Sequence, residues 1–195
     1  RVVFQGSTNV AAGGTVFNRQ TTSGNALHLQ RTAGIEFRNL NIINAGQGVY
    51  SDEAGDCYFI DVRVENCSSA AFAANKSPTN YFLRCLARSS GSGLAPNQSM
   101  MIWRNGVIWG NMKPVDLQNG GSAALYNSVL RAVGASARIY SLSTSAGNIV
   151  GNHNLYVREG DALFYERTSV SGGNELYTRL SDWQFASGQD LQSTA

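Results

Sequence analysis

Few side chains in this sequence can move a proton or neutralise a charge. Of 195 residues two are histidines, His28 and His153, and the lysines are Lys76 and Lys113. An imidazole titrates near neutrality, so His28 is the candidate general acid or base. Asp52 and Asp116 are the candidate carboxylates for hydrolysis of a glycoside, which in its usual form needs two carboxyl groups ~5–9.5 Å apart. Proton abstraction beside a uronate carboxylate instead needs a base together with a cation that neutralises that carboxylate, for which Lys76 is the candidate. Asp52, Glu53 and Asp56 share one short loop and are the candidate oxygen ligands for Ca²⁺, although a solvated loop often carries as many carboxylates. No other metal or cofactor is expected. The three cysteines Cys57, Cys67 and Cys85 stand in no C-x-x-C or His-containing spacing and read as buried free thiols.

The rest of the composition narrows the partners. Lys and Arg total 15 against 13 Asp and Glu, a net charge of +2 with no basic run, so the footprint of a nucleic-acid binder is missing. No apolar stretch approaches the ~20 residues that cross a bilayer as a helix. With 21 Gly, 3 Pro and 14% charged residues the chain is turn-rich and ordered. It opens at Arg1 already in strand-like material, and the expectation is that it belongs to something longer.

What must position these residues is a repeat of about 22 residues. Ile35–Ile42 and Cys57–Val64 superimpose, followed by Asn80–Ala87, Met101–Ile108, Ala123–Leu130 and a weaker copy ending in Asn152–Leu155. Each copy alternates apolar and polar, slips phase once, then alternates again, which describes two short strands joined by a tight corner. Asn39, Asp61, Arg84, Asn105, Asn127 and Asn152 occupy the corner. Asn tolerates a left-handed backbone and can bond along a ladder, whereas Arg84 predicts a corner of different construction. His153, one residue on, is expected to point inward as a core residue. Three inward stacks follow: Leu27/Val49/Phe72, Phe37/Phe59/Phe82/Trp103/Leu125 and Ile42/Val64/Ala87/Ile108/Leu130.

A third strand precedes each pair, as in Ala26–Leu29, Gly48–Ser51 and Pro114–Leu117. Three strands per turn with no intervening amphipathic helix predict an all-β, right-handed parallel β-helix solenoid over 1–168. Residues 169–195 form a loop and short helix leading to a further coil. The helix is expected over 182–187, with Ser181 and Gln184 as capping box and Gly188 as its stop. Neither end carries an obvious cap, so the expectation is that flanking sequence covers them or that subunits associate end to end.

The coil pattern resembles the parallel β-helix proteins of the pectate-lyase-like superfamily. The tail strengthens the likeness, since Asn152-His-Asn-Leu-Tyr156 and the Trp183, Gln184, Gly188, Asp190 and Ser193 spacing look like a stretch common in secreted bacterial β-helix repeat proteins. That resemblance implies an extracellular or cell-surface protein, and members include polysaccharide lyases, hydrolases, tailspikes and adhesins.

Strand alternation on the third face turns His28 and Gln30, Tyr50 and Asp52, Ala73 and Asn75, Ala95 and Asn97, and Asp116 and Gln118 outward. The carbohydrate-binding candidates are therefore Tyr50, Asp52, Asn75, Asn97 and Asp116, on one ribbon. Asp52 and Asp116 lie three coils apart, roughly 14 Å at ~4.8 Å per coil, too far for a direct catalytic pair. Arg31, Glu53 and Lys76 repeat at one position as a ladder of alternating charge. Two functions stay open: a protein that binds or degrades polysaccharide, and a non-catalytic solenoid of a fibre, sheath or adhesin.

Overall fold

The computed structural model describes residues 2–9, 14–169 and 173–195, which wind into a parallel β-solenoid of about seven coils. Each coil lays strands on three faces. The first face is a sheet of seven strands, Val2–Gln5, Ile35–Arg38, Cys57–Ile60, Thr79–Leu83, Met100–Arg104, Ser122–Tyr126 and Ile149–Asn152, every neighbour parallel. The second and third faces are one sheet of thirteen strands, because Leu40–Asp52 and Arg63–Asn75 run round the bend between them unbroken.

Corners are made by single residues in the left-handed region. Asn39, Asp61, Arg84, Asn105 and Asn127 all have φ between 51° and 56°. Their backbone N–H groups donate to carbonyls of the next coil, as Asn39 does to Ile60 (3.1 Å) and Arg84 to Arg104 (3.0 Å). The corner is thus a backbone device that side chains merely tolerate, and Arg84 adopts the same turn as its neighbours, contrary to expectation. The expected Asn152 corner is displaced by one residue. Tyr126 pairs with Asn152, so His153 takes the left-handed position (φ 57°) with its side chain exposed rather than in the core. Two further ladders went unread in the sequence as left-handed corners: Asn44, Asn66, Ser89 and Gly110, and Arg31, Glu53, Lys76, Gln98 and Asn119. Their residue types vary too widely for a pattern to stand out.

The residue after each corner swings inward and is buried: Leu40, Val62, Cys85, Ser128 and Asn154. Where it is polar, it closes backbone bonds between coils. Ser128 Oγ accepts from Gly106 N (3.2 Å), and Asn154 Oδ1 accepts from Ser128 N (3.0 Å). The inward stacks stand in register as expected, and the first continues through Leu94, Val115 and Tyr140. Phe4 stacks on Phe37 (5.1 Å), extending the aromatic column by a coil.

The two ends differ. At the N-terminal end Val2, Val3, Phe4, Val16 and Phe17 are each about half exposed. The C-terminal end, expected bare, is covered by a helix over Leu180–Ser187 that packs Trp183 against Tyr140 and Phe164 (5.4 and 5.6 Å). This helix begins earlier than expected, with extended Arg179 at the N-cap position and no side-chain cap, because burial of Leu180 draws that residue into its first turn. Ser181 therefore lies inside the helix; Gly188 ends it in the left-handed conformation. Gln184 Nε2 then donates to Asp190 O (2.6 Å), Ser193 Oγ donates to Asp190 Oδ1 (2.7 Å), and Thr194 pairs with Leu155.

Candidate functional site

On the third face, register sorts the outward side chains into rows. His28, Tyr50, Ala73, Ala95 and Asp116 form one row, and Gln30, Asp52, Asn75, Asn97 and Gln118 the next. The Asp116 place follows from the pairing of Leu94 with Val115 one residue earlier. The rings of His28 and Tyr50 lie against each other with centroids 5.1 Å apart, tilted by 32°. The ring column then stops. Ala73 and Ala95 leave two layers without a side chain beyond Cβ, and behind them a cleft of about 370 Å³ opens, walled by Tyr50 at one end and Asp116 at the other.

Four of the expected binding residues, Tyr50, Asn75, Asn97 and Asp116, line this cleft. Asp52 stands outside the lining and acts on it through Asn75, whose Nδ2 donates to Asp52 Oδ1 (2.8 Å). Burial, then the Asp52 carboxylate, pushes the Tyr50 hydroxyl above its ordinary value. Asn97 Oδ1 is buried and lacks a donor within the described protein. An unpaired buried carbonyl costs ~1–3 kcal/mol, so a ligand hydroxyl donating to it would recover that loss.

Asp116 is buried to 9% exposure and held from three sides: Ser92 Oγ (3.4 Å), Lys113 Nζ (3.5 Å) and Gln118 Nε2 (3.3 Å). Sequence reading missed Lys113 and Ser92. They belong to a third outward row with Gln47 and Ala70, hidden because two consecutive residues of each coil, such as Gly48 and Val49 or Ala71 and Phe72, face the core and break simple alternation.

The remaining candidates disperse. Arg31 Nε bonds Glu53 Oε2 (2.9 Å) on an exposed corner, whereas Lys76, next in that ladder, has no ion pair among the described residues. Asp52 turns to Asn75, Glu53 to Arg31, and no group of three His, Cys, Asp or Glu side chains gathers among the described residues. Asp116 is the one carboxylate among the residues lining the cleft. Cys57, Cys67 and Cys85 are buried free thiols, and burial pushes Cys85 up to about 12.

No family model, curated protein or solved structure matches this chain. Fold and site geometry therefore carry the functional reading.

Proposed function

We propose that the third face binds a polysaccharide, with one sugar ring lodged between Tyr50 and Asp116. The observation that carries this is the interrupted column. Tyr50 has His28 on one side of its ring and only Ala73 and Ala95 on the other. At ~4.8 Å per coil the gap is wide enough for a ring to take the place of the missing side chains. A pyranose suits it, since its C–H face packs on an aromatic ring while its hydroxyls meet amides and a carboxylate at the rim. Asn75, Asn97 and Asp116 supply those partners, and Asn97 Oδ1 gains its donor. The ribbon continues along the axis to Gln118 and His28, so neighbouring sugars of a chain extend from the anchored ring. This reading places the protein outside the cell or at its surface, where such polymers are met.

Two variants test it against a panel of soluble polysaccharides by affinity electrophoresis. Tyr50→Ala removes the stacking wall, and Ala73→Tyr fills the gap by continuing the column. Each should weaken binding of the retained glycan at least fivefold, about the ~1 kcal/mol of a net hydrogen bond, with melting temperature preserved. Unchanged binding by folded Ala73→Tyr overturns the proposal.

A further inference from the structure

A second cleft, of about 540 Å³, lies away from the third face along the corner joining the first and second faces. One wall comes from the N-terminal segment. The first coil is longer than those that follow: Phe4 pairs with Phe37, 33 positions on, whereas Phe37 pairs with Phe59, 22 on. Part of that extra chain folds down on the corner. Gly6 N donates to Arg38 O (2.8 Å), and the Gly6 Cα faces the backbone of Asn39 so closely that no Cβ fits. Ser7 and Thr8 thereby overhang the ladder Asn39, Asp61, Arg84 and Asn105.

The charges in this cleft do not cancel. Arg84 takes both oxygens of Asp61, Nε on Oδ1 (2.9 Å) and Nη2 on Oδ2 (2.7 Å). That leaves Arg63, two residues beyond Asp61 and exposed on the second face, with no hydrogen bond or ion pair among the described residues. In register it stands between Asn41 and Leu86, neither of which carries charge. The side-chain amides of Asn39 and Asn105, at the two ends of the ladder, likewise have no hydrogen-bond partner among the described residues. A free guanidinium is a planar fork matched to two oxygens of a phosphate, sulfate or carboxylate. Side-chain amides both donate and accept, which suits hydroxyl groups.

We propose that this corner cleft binds an anionic sugar, its oxyanion on Arg63 and its hydroxyls on the flanking amides. The site is independent of the third-face cleft, shares no lining residue with it, and stands or falls separately. Its chemistry is that of an oxyanion attached to a polyol; whether the oxyanion is phosphate, sulfate or carboxylate is decided by the probes.

Calorimetric titration of the full chain with glucose 6-phosphate, glucose 6-sulfate, glucuronate, glucose, inorganic phosphate and inorganic sulfate makes the test. At least one charged sugar should bind more tightly than glucose and, for the two esters, more tightly than the matching inorganic anion, with acetate as the sugar-free control for glucuronate. Arg63→Gln should weaken that binding tenfold or more, Arg63→Lys less, and Asn105→Gly a few-fold, all with little change in melting temperature, since these side chains are exposed and glycine accepts the left-handed backbone of the corner (φ 54°). Tyr50→Ala should leave it untouched. Equal affinity for sugar ester and inorganic ion, no binding of any charged sugar, or full binding by a folded Arg63→Gln variant overturns the proposal.

Discussion

Inside the solenoid an aromatic column runs without a gap: Phe4, Phe37, Phe59, Phe82 and Trp103 follow ring on ring at 5.0–5.6 Å. Outside, on the third face, the column His28–Tyr50 ends after two layers, and alanines hold the next two places. Both follow one rule, that equivalent positions of successive coils stack about 4.8 Å apart. The filled column excludes everything else and stabilises the fold. The interrupted one leaves a slot whose walls are already in place.

The largest effect is expected where the filled column is broken. Trp103 is fully buried, touching Phe72 and Phe82 at 5.6 Å. Trp103→Ala should cost about 3–5 kcal/mol through lost burial and the cavity left behind. Trp103→Phe should cost far less, because it keeps a ring in the column and removes an Nε1–H that has no acceptor among the described residues. Denaturant unfolding of both variants checks the contrast. Equal losses would mean that the column is not the unit of stability.

The core stacks and the outward ribbon were legible in the sequence, because side-chain alternation survives from coil to coil wherever a strand is straight. Legibility failed where the phase slips. The row of Gln47, Ala70, Ser92 and Lys113 is separated from the outward ribbon by two consecutive core-facing residues, so the cation beside Asp116 does not follow from alternation. The longer last repeat moved the corner from Asn152 to His153 for the same reason. The C-terminal cap was hidden differently. The spacing of Trp183, Gln184, Gly188, Asp190 and Ser193 was visible, but only the fold shows that these residues close the end of the core, with Trp183 on the Tyr140 ring and Asp190 buried.

A smaller effect comes from acids buried beside the filled interior. Cys85, beneath the Arg84 corner, is pushed by burial from an ordinary value near 9 up to about 12, and burial raises Tyr140 and Tyr156 as well. These groups are neutral when protonated, and their folded values lie above the unfolded ones. Below pH 9 both states keep the thiol proton and its contribution is complete; above it the unfolded chain ionises first and stability falls. Between pH 9 and 11 Cys85 alone should remove about 2–3 kcal/mol, at ~1.4 kcal/mol per unit. Urea midpoints measured across that range should decline, and Cys85→Ala should flatten the decline while lowering the plateau. A wild-type midpoint constant to pH 11 would show that the thiol is reached by water.

The smallest effect should appear at the corners, where the outer ladder is built from backbone. Arg84 and Asp61 form a two-pronged ion pair, yet their side chains are 53% and 39% exposed, so solvent screens the attraction. Exposed pairs of this kind contribute little. Against that loss, Asn tolerates the left-handed backbone at this position (φ 53°) better than Arg does. The two terms oppose each other, so Arg84→Asn should leave the melting temperature nearly unchanged, as a melt at low salt would register. Repeating the melt in molar salt separates them, because screening removes the ion pair and leaves the backbone preference, and the variant should then equal or exceed the parent. A clear fall in melting temperature at either salt concentration would show that side chains, and not the carbonyls of the adjacent coil, hold the corner ladder together.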